Sequence, residues 1–243
     1  MQQIYNDILK AKANNKKLLA ILLDPDKLNV LDIELLSIKI KNSPATHIFI
    51  GGSIVPDGKT EIIVIELQKH VILPIILFPG NANQVTNHAD GILLLSLLSG
   101  RNPEYLIEQH IKAAPLLQKS NLEIIPTGYI LVDGGTETAV QRVSKTTPIK
   151  QEDQLLASHT ALAGQYTGKK LIYLEAGSGA KKTVNTKTIN AVAEIIEIPL
   201  IVGGGIRSKE HLEKTYDAGA DLVVIGTAFE KDNSFFENID KIH

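Results

Sequence analysis

Residues 199–207 of this 243-residue chain read Pro-Leu-Ile-Val-Gly-Gly-Gly-Ile-Arg, and residues 220–230 read Ala-Asp-Leu-Val-Val-Ile-Gly-Thr-Ala-Phe-Glu. Each holds a short β-branched run that stops at glycine. The runs are apolar without alternation, as strands buried on both faces are. Glycine at a strand end lets backbone N–H groups approach a ligand closely, and a row of such groups favours an anion. Ser208 stands where an N-cap belongs, Glu210 in the first turn and Gly219 at the stop, so the pair reads as a β-α-β unit. Two glycine-ended strands in succession favour a phosphate site at Gly203–Gly205 and Gly226-Thr227. For a single Gly-Gly-Gly, a tight strand-to-helix turn is the plain alternative.

Other strand ends add oxygen donors. Asp24 follows the apolar run 18–23 and opens Asp-Pro-Asp-Lys. A hard dication such as Mg²⁺ takes oxygen ligands, often one or two carboxylates plus substrate phosphates, and Asp24 is the best single candidate. An Asp-Pro turn opener is an equally good reading of it, and Asp26 reads as a cap. Ser53 closes the run 47–50. Tyr173 and Glu175 alternate along 171–175, so both face one side of a strand. A glutamate there can serve as a base or hold hydroxyls, or be a buried acid paired with a lysine. Gly177-Ser178-Gly179 adds another N–H-rich turn. It is not a nucleophile elbow, and no dinucleotide fingerprint follows the first strand. The chain has no cysteine, which excludes disulfides, thiol catalysis and cysteine-held metals. Its histidines show no metal-ligand spacing.

The elements that carry these residues begin with strands, expected at 18–23, 47–50, 74–78, 91–95, 123–126, 171–174, 200–202 and 222–225. Helices are expected at 4–13, 30–41 (with Leu31, Leu35 and Ile38 on its apolar face), 60–70, 103–117, 154–166, 186–196 and 233–243. Alternating strands and helices favour a single α/β domain over residues 1–243, built as a (β/α)₈ barrel with its chemistry at the C-terminal strand ends. Between Phe78 and Gly91 lie 12 residues, too few for a crossover helix with its loops. The helix after the third strand is therefore missing or reduced, leaving a gap in the outer ring. The polar stretch 133–153 is longer than closure needs, which suggests a lid, a binding loop or disorder. A net charge of −2 gives no bulk attraction to nucleic acid. The polar, acidic start is unlike a signal peptide, and no apolar run reaches the roughly 18–20 residues of a spanning helix. A cytoplasmic location is expected.

The motifs Leu-Leu-Asp24-Pro-Asp-Lys, Phe-Ile-Gly-Gly-Ser53, Leu-Phe-Pro-Gly-Asn81, Tyr173-Leu-Glu-Ala-Gly-Ser-Gly179, Val-Gly-Gly-Gly205-Ile-Arg and Val-Ile-Gly226-Thr together resemble the geranylgeranylglyceryl phosphate synthase family, heptaprenylglyceryl phosphate synthases included. The likeness covers almost the whole chain in order. It implies a modified TIM barrel without a regular helix after the third strand. It implies Mg²⁺-dependent transfer of a long prenyl group, geranylgeranyl as first choice, from its diphosphate to the 3-hydroxyl of sn-glycerol 1-phosphate. Carried over by motif, Asp24 and Ser53 would hold the metal, with Asp24 and Glu175 as catalytic residues. Tyr173, Leu174, Glu175, Ala176, Gly177, Ser178, Gly179, Gly204, Gly205, Gly226 and Thr227 would bind glycerol 1-phosphate. Some members carry a lysine two residues before the metal aspartate; here that position is Leu22, and Lys27 is the candidate substitute. The prenyl tail is expected to leave through the gap, past residues among Leu93–Leu98 and Tyr105, which core packing explains equally well. A homo-oligomer, and peripheral membrane contact during product release, are further expectations. Two rival readings remain: another phosphate-binding barrel enzyme, such as a sugar-phosphate isomerase or an FMN enzyme, and a non-catalytic prenyl-lipid binder.

Overall fold

A computed structural model describes residues 3–231. The apolar runs form eight parallel strands: β1 (Leu18–Leu23), β2 (His47–Ile50), β3 (Ile75–Leu77), β4 (Gly91–Leu97), β5 (Glu123–Leu131), β6 (Leu171–Glu175), β7 (Leu200–Gly203) and β8 (Leu222–Ile225). Each pairs with the next, and β8 with β1, closing a barrel in sequence order. The helices are α1 (Ile4–Ala13), α2 (Ile33–Lys41), α3 (Lys59–Gln68), α4 (Gln109–Gln118), α5 (Ala139–Ser144), α6 (Gln154–Tyr166), α7 (Thr186–Ala193), α8 (Lys209–Asp217) and α9 (Thr227–Lys231). Strand side chains alternate between two cores. Ala20, Phe49, Ile76, Leu93, Ile125, Tyr173, Ile201 and Val224 fill the barrel. Ile21, Ile48, Ile130, Ile172, Val202 and Val223 pack outward under the helices.

The floor of the barrel is sealed by α1, whose Ile4, Ile8 and Ala11 join the inner core. Glu123, at the start of β5, accepts the backbone N–H groups of Ile4 and Tyr5 at 2.7 and 2.8 Å. A carboxylate on the first turn satisfies orphan donors and suits the helix dipole. With the floor closed, the strand ends at the top are left for chemistry.

The third crossover has only a 3₁₀ turn, Ala82–Gln84, between β3 and β4. β3 pairs with β4 only at Ile76–Gly91 and Leu77–Ile92. β4 runs on to Leu97 beside β5 alone, so residues 93–97 border an open gap, as the short interval implies.

Several expectations need correction. α2 buries Ile33, Ser37 and Ile40, whereas Leu31, Leu35 and Ile38 are 86, 72 and 51 % exposed. The segment starts with a 3₁₀ turn at Val30–Asp32, capped by Asn29, and that turn resets the phase of the helix. β5 does not stop at Pro126. That residue lacks an N–H, but its carbonyl accepts from Lys170 at 2.7 Å and the ladder continues to Leu131. The segment 103–117 opens as a π-turn, Glu104–Glu108, before α4. Within 133–153 lies a helix, α5, fixed by a capping box in which Thr138 and Gln141 satisfy each other's N–H groups. The expected helix at 233–243 lies outside the described residues.

Candidate active site

The turns after β6, β7 and β8 are built by backbone. Gly177, Gly179, Gly204 and Gly205 have φ of +102°, +74°, +87° and +73°, the left-handed region that disfavours other residues. A Cβ on Gly205 would also lie 2.8 Å from the Lys182 carbonyl oxygen. Arg207 ties down the 177–179 turn by donating to the carbonyls of Ala180 at 2.6 Å and Gly179 at 3.3 Å. The hydroxyls of Ser178 and Thr227 meet at 3.4 Å, joining the β6 and β8 turns. This is a cradle of amides, hydroxyls and one guanidinium suited to a phosphate.

Beneath it sits Glu175, buried among Tyr173, Gly203 and Gly204. A Cβ on Gly203 would fall 2.8 Å from one carboxylate oxygen, and one on Gly204 2.5 Å from the other. The glycine run thus serves the carboxylate as well as the anion. Burial pushes the Glu175 carboxyl up to about 7; the Tyr173 hydroxyl and the Gly177 N–H, which donates at 2.6 Å, pull it back down. Tyr173 lies beside the carboxylate, close enough to affect its titration. Even so, its hydroxyl has no well-formed hydrogen bond among the described residues, and a ligand hydroxyl would satisfy it. Phe49, Phe78, Tyr129 and Tyr173 stack through the barrel mouth, with ring centroids 5.2 to 6.4 Å apart.

Across the mouth, the donors are side chains. Asp24 does both jobs open to it. It caps the turn Pro25–Lys27, accepting the Asp26 N–H at 3.2 Å, and it also faces the cavity. Lys27 lies 3.2 Å from its other oxygen and faces the same cavity, as does Leu22. Asp26 is exposed and away from it. Ser53, from the loop after β2, joins Asp24 at the cavity wall. In the neighbouring turn the side-chain oxygen of Asn81 is buried without a partner among the described residues. These hard oxygens fit Mg²⁺ bound through a carboxylate and completed by substrate phosphates. Among the described residues no three His, Cys, Asp or Glu side chains gather as a closed metal cage.

One cavity of about 450 Å³ joins the two ends. It takes in Asp24, Ser53, Tyr173, Glu175, Gly177, Ser178, Gly179, Gly204, Gly205, Gly226 and Thr227. Leu174 and Ala176 do not line it. They alternate outward from β6 into the helix-side core, and the Ala176 N–H is used by the Gly203 carbonyl at 3.0 Å. From Asp24 the cavity runs into the gap, past Pro79, Val85, Leu94, Tyr105 and Ala113, under α5 residues Val140 and Val143. Leu93, Leu95 and Leu97 border it as well, but Leu98 does not; it packs against Gly128 and Gly164. Gln109 and Arg142, which line the cavity, and Gln84, buried behind it against Gly52, are additions that sequence reading missed. A glutamine in an Asn-rich turn or an arginine on a short helix has no period or motif to mark it.

An eight-stranded parallel barrel with an amide cradle facing a carboxylate across a long apolar cleft defines a phosphate-handling barrel enzyme. The chain belongs to the PcrB family, which it matches over residues 7–243. It is 56 % identical, over 97 % of both chains, to the geranylgeranylglyceryl phosphate synthase of Flavobacterium johnsoniae. It is 40 % identical to that of Pyrococcus furiosus, over 95 % of this chain and 92 % of the relative. The crystal structure of (S)-3-O-geranylgeranylglyceryl phosphate synthase from Thermoplasma acidophilum, in complex with its substrate sn-glycerol-1-phosphate, superposes with a TM-score of 0.92. It is 32 % identical, with 100 % of this chain and 97 % of that one covered.

Proposed function

We propose that the protein is a prenyltransferase that joins a long prenyl diphosphate, geranylgeranyl diphosphate first, to the 3-hydroxyl of sn-glycerol 1-phosphate. The observation that carries the reading is the single cavity linking an amide cradle, a buried carboxylate and an apolar gap. The named relatives supply the chemistry. Glycerol 1-phosphate rests its phosphate on the turns 203–205 and 226–227, with Ser178 and Thr227 as hydroxyl partners. Its free 3-hydroxyl then points toward Glu175 and the neighbouring Tyr173 hydroxyl. The allylic C–O bond of the prenyl diphosphate breaks, the glycerol oxygen bonds to prenyl C1, and its proton passes to Glu175; diphosphate leaves. A carboxyl near 7 is matched to taking a proton at neutral pH.

Asp24 with Ser53 would hold Mg²⁺, which supplies charge neutralisation for the diphosphate. Lys27 adds a cation at the same end, the role left open by Leu22. The apolar gap takes the tail, where each buried CH₂ contributes about 0.8 kcal/mol. We place the enzyme in the cytoplasm, with peripheral membrane contact as its lipid product leaves. Among the described residues no helix is long and apolar enough to cross a membrane. Exposed Ile107, Ile111 and Leu155 support a homo-oligomer. The test is turnover of labelled sn-glycerol 1-phosphate with prenyl diphosphates of graded length, read by product mass. An ether product of added prenyl mass with equimolar diphosphate is expected. Substrate bound but never joined would leave a mere binder.

A further inference from the structure

We infer that Gln84 is a positioning residue for the diphosphate end of the site, acting through the Gly52 peptide on Asp24. The inference rests on the prenyl-transfer reading. Ladder bonds carry the loop after β2 as far as Gly51, whose N–H donates to the Leu23 carbonyl at 3.1 Å. The backbone of the next residue, Gly52, is held by a side chain. Gln84 is 2 % exposed, and its carboxamide grips Gly52 twice: Nε2 donates to the Gly52 carbonyl at 2.8 Å, and Oε1 accepts the Gly52 N–H at 3.3 Å. A buried amide is costly unless paired, and here both halves are spent on the backbone of one residue, bracing the two peptides that flank it.

That residue abuts the metal candidate. A Cβ on Gly52 would lie 2.5 Å from an Asp24 carboxylate oxygen, and one on Gly80 2.6 Å from the Gly52 carbonyl. The turn that replaces the missing helix is therefore clamped against the loop carrying Ser53, and that loop against Asp24. Its far end is tied as well, since the Ala82 N–H donates to Gln109 Oε1 at 2.8 Å, at the start of α4 on the gap. Gln84 touches neither substrate end directly. It fixes the spacing between the oxygen donors and the mouth of the tail gap.

The test uses the full chain with two probes, inorganic diphosphate plus Mg²⁺ and sn-glycerol 1-phosphate, each titrated calorimetrically, alongside a thermal melt. Gln84→Met keeps length and removes both bonds. Diphosphate affinity is expected to fall roughly 10–100-fold, the usual cost of losing a partner behind a metal ligand, while glycerol 1-phosphate affinity stays as in the wild type. Equal weakening of both ligands, or no change in diphosphate affinity in a folded variant, overturns the inference. Should Gln84→Met fail to fold, Gln84→Asn decides. It keeps a neutral carboxamide but, one methylene shorter, cannot reach both the Gly52 N–H and its carbonyl, and is expected to show the same one-sided loss, smaller. A wild-type protein that binds both probes but forms no ether product counts against the reaction, not against the positioning role.

Discussion

The two ends of the cavity are made of different material. At β6 to β8 the cavity-facing surface is backbone, held by glycines with positive φ and by Glu175 wedged against Gly203 and Gly204. At β1 to β3 it is side chain: Asp24 and Ser53 line the wall, with Lys27 beside the carboxylate, and Gln84 braces the loop behind them. Amide dipoles are fixed by the fold and suit a ligand that must sit in one pose. Carboxylate and ammonium groups respond to what enters, and suit a diphosphate that must arrive with its charge neutralised and then leave. In the proposed reaction the two ends bind separately and act together.

The strongest way to break it is Asp24→Asn. Turnover in Mg²⁺ is expected to vanish while glycerol 1-phosphate affinity, measured calorimetrically, is retained. A parallel loss of affinity would make the ends one site, and wild-type turnover would leave Asp24 as only a cap. Next comes Glu175→Gln, expected to slow single-turnover transfer by roughly 10²–10⁴-fold. The same carboxyl sets a pH limb. Acting as a base, it must be ionised, so the wild-type rate should rise as pH passes through about 7, and this limb should be absent in Glu175→Gln. Stability runs the other way. Burial favours the neutral acid, so its stabilising effect is present below the ordinary carboxylate range and is lost as pH rises through about 7.

What the sequence made legible follows the same division. Backbone sites announce themselves as glycine runs at strand ends, and Tyr173 and Glu175 came out of simple alternation. The missing helix was countable from Phe78 to Gly91. Side-chain scaffolding was silent. Gln84 acts across 32 residues on a peptide, and no local pattern encodes such a contact. The α2 face was misread because a 3₁₀ turn capped by Asn29 shifts the phase, and the motif residues Leu174 and Ala176 turn out to pack outward.

Smaller effects sharpen the contrast. Gly205→Ala meets both a φ of +73° and the Lys182 carbonyl oxygen, and the strain of about 1–3 kcal/mol for such a conformation should appear as weaker glycerol 1-phosphate binding. Gly226→Ala has room, its Cβ 3.5 Å from the Leu22 carbonyl oxygen. It should fold with a wild-type melting temperature and lose affinity only through the ligand. The smallest effect on glycerol 1-phosphate is expected from Ala113→Leu, on the gap wall. It should shift preference toward shorter prenyl diphosphates, seen in competition assays, without touching glycerol 1-phosphate affinity.

The account is tested most directly by a crystal structure with sn-glycerol 1-phosphate bound. The phosphate should lie between the turns 203–205 and 226–227, with the free 3-hydroxyl within hydrogen-bond reach of Glu175. A phosphate seated at Asp24 and Ser53 instead, with those turns empty, would contradict it.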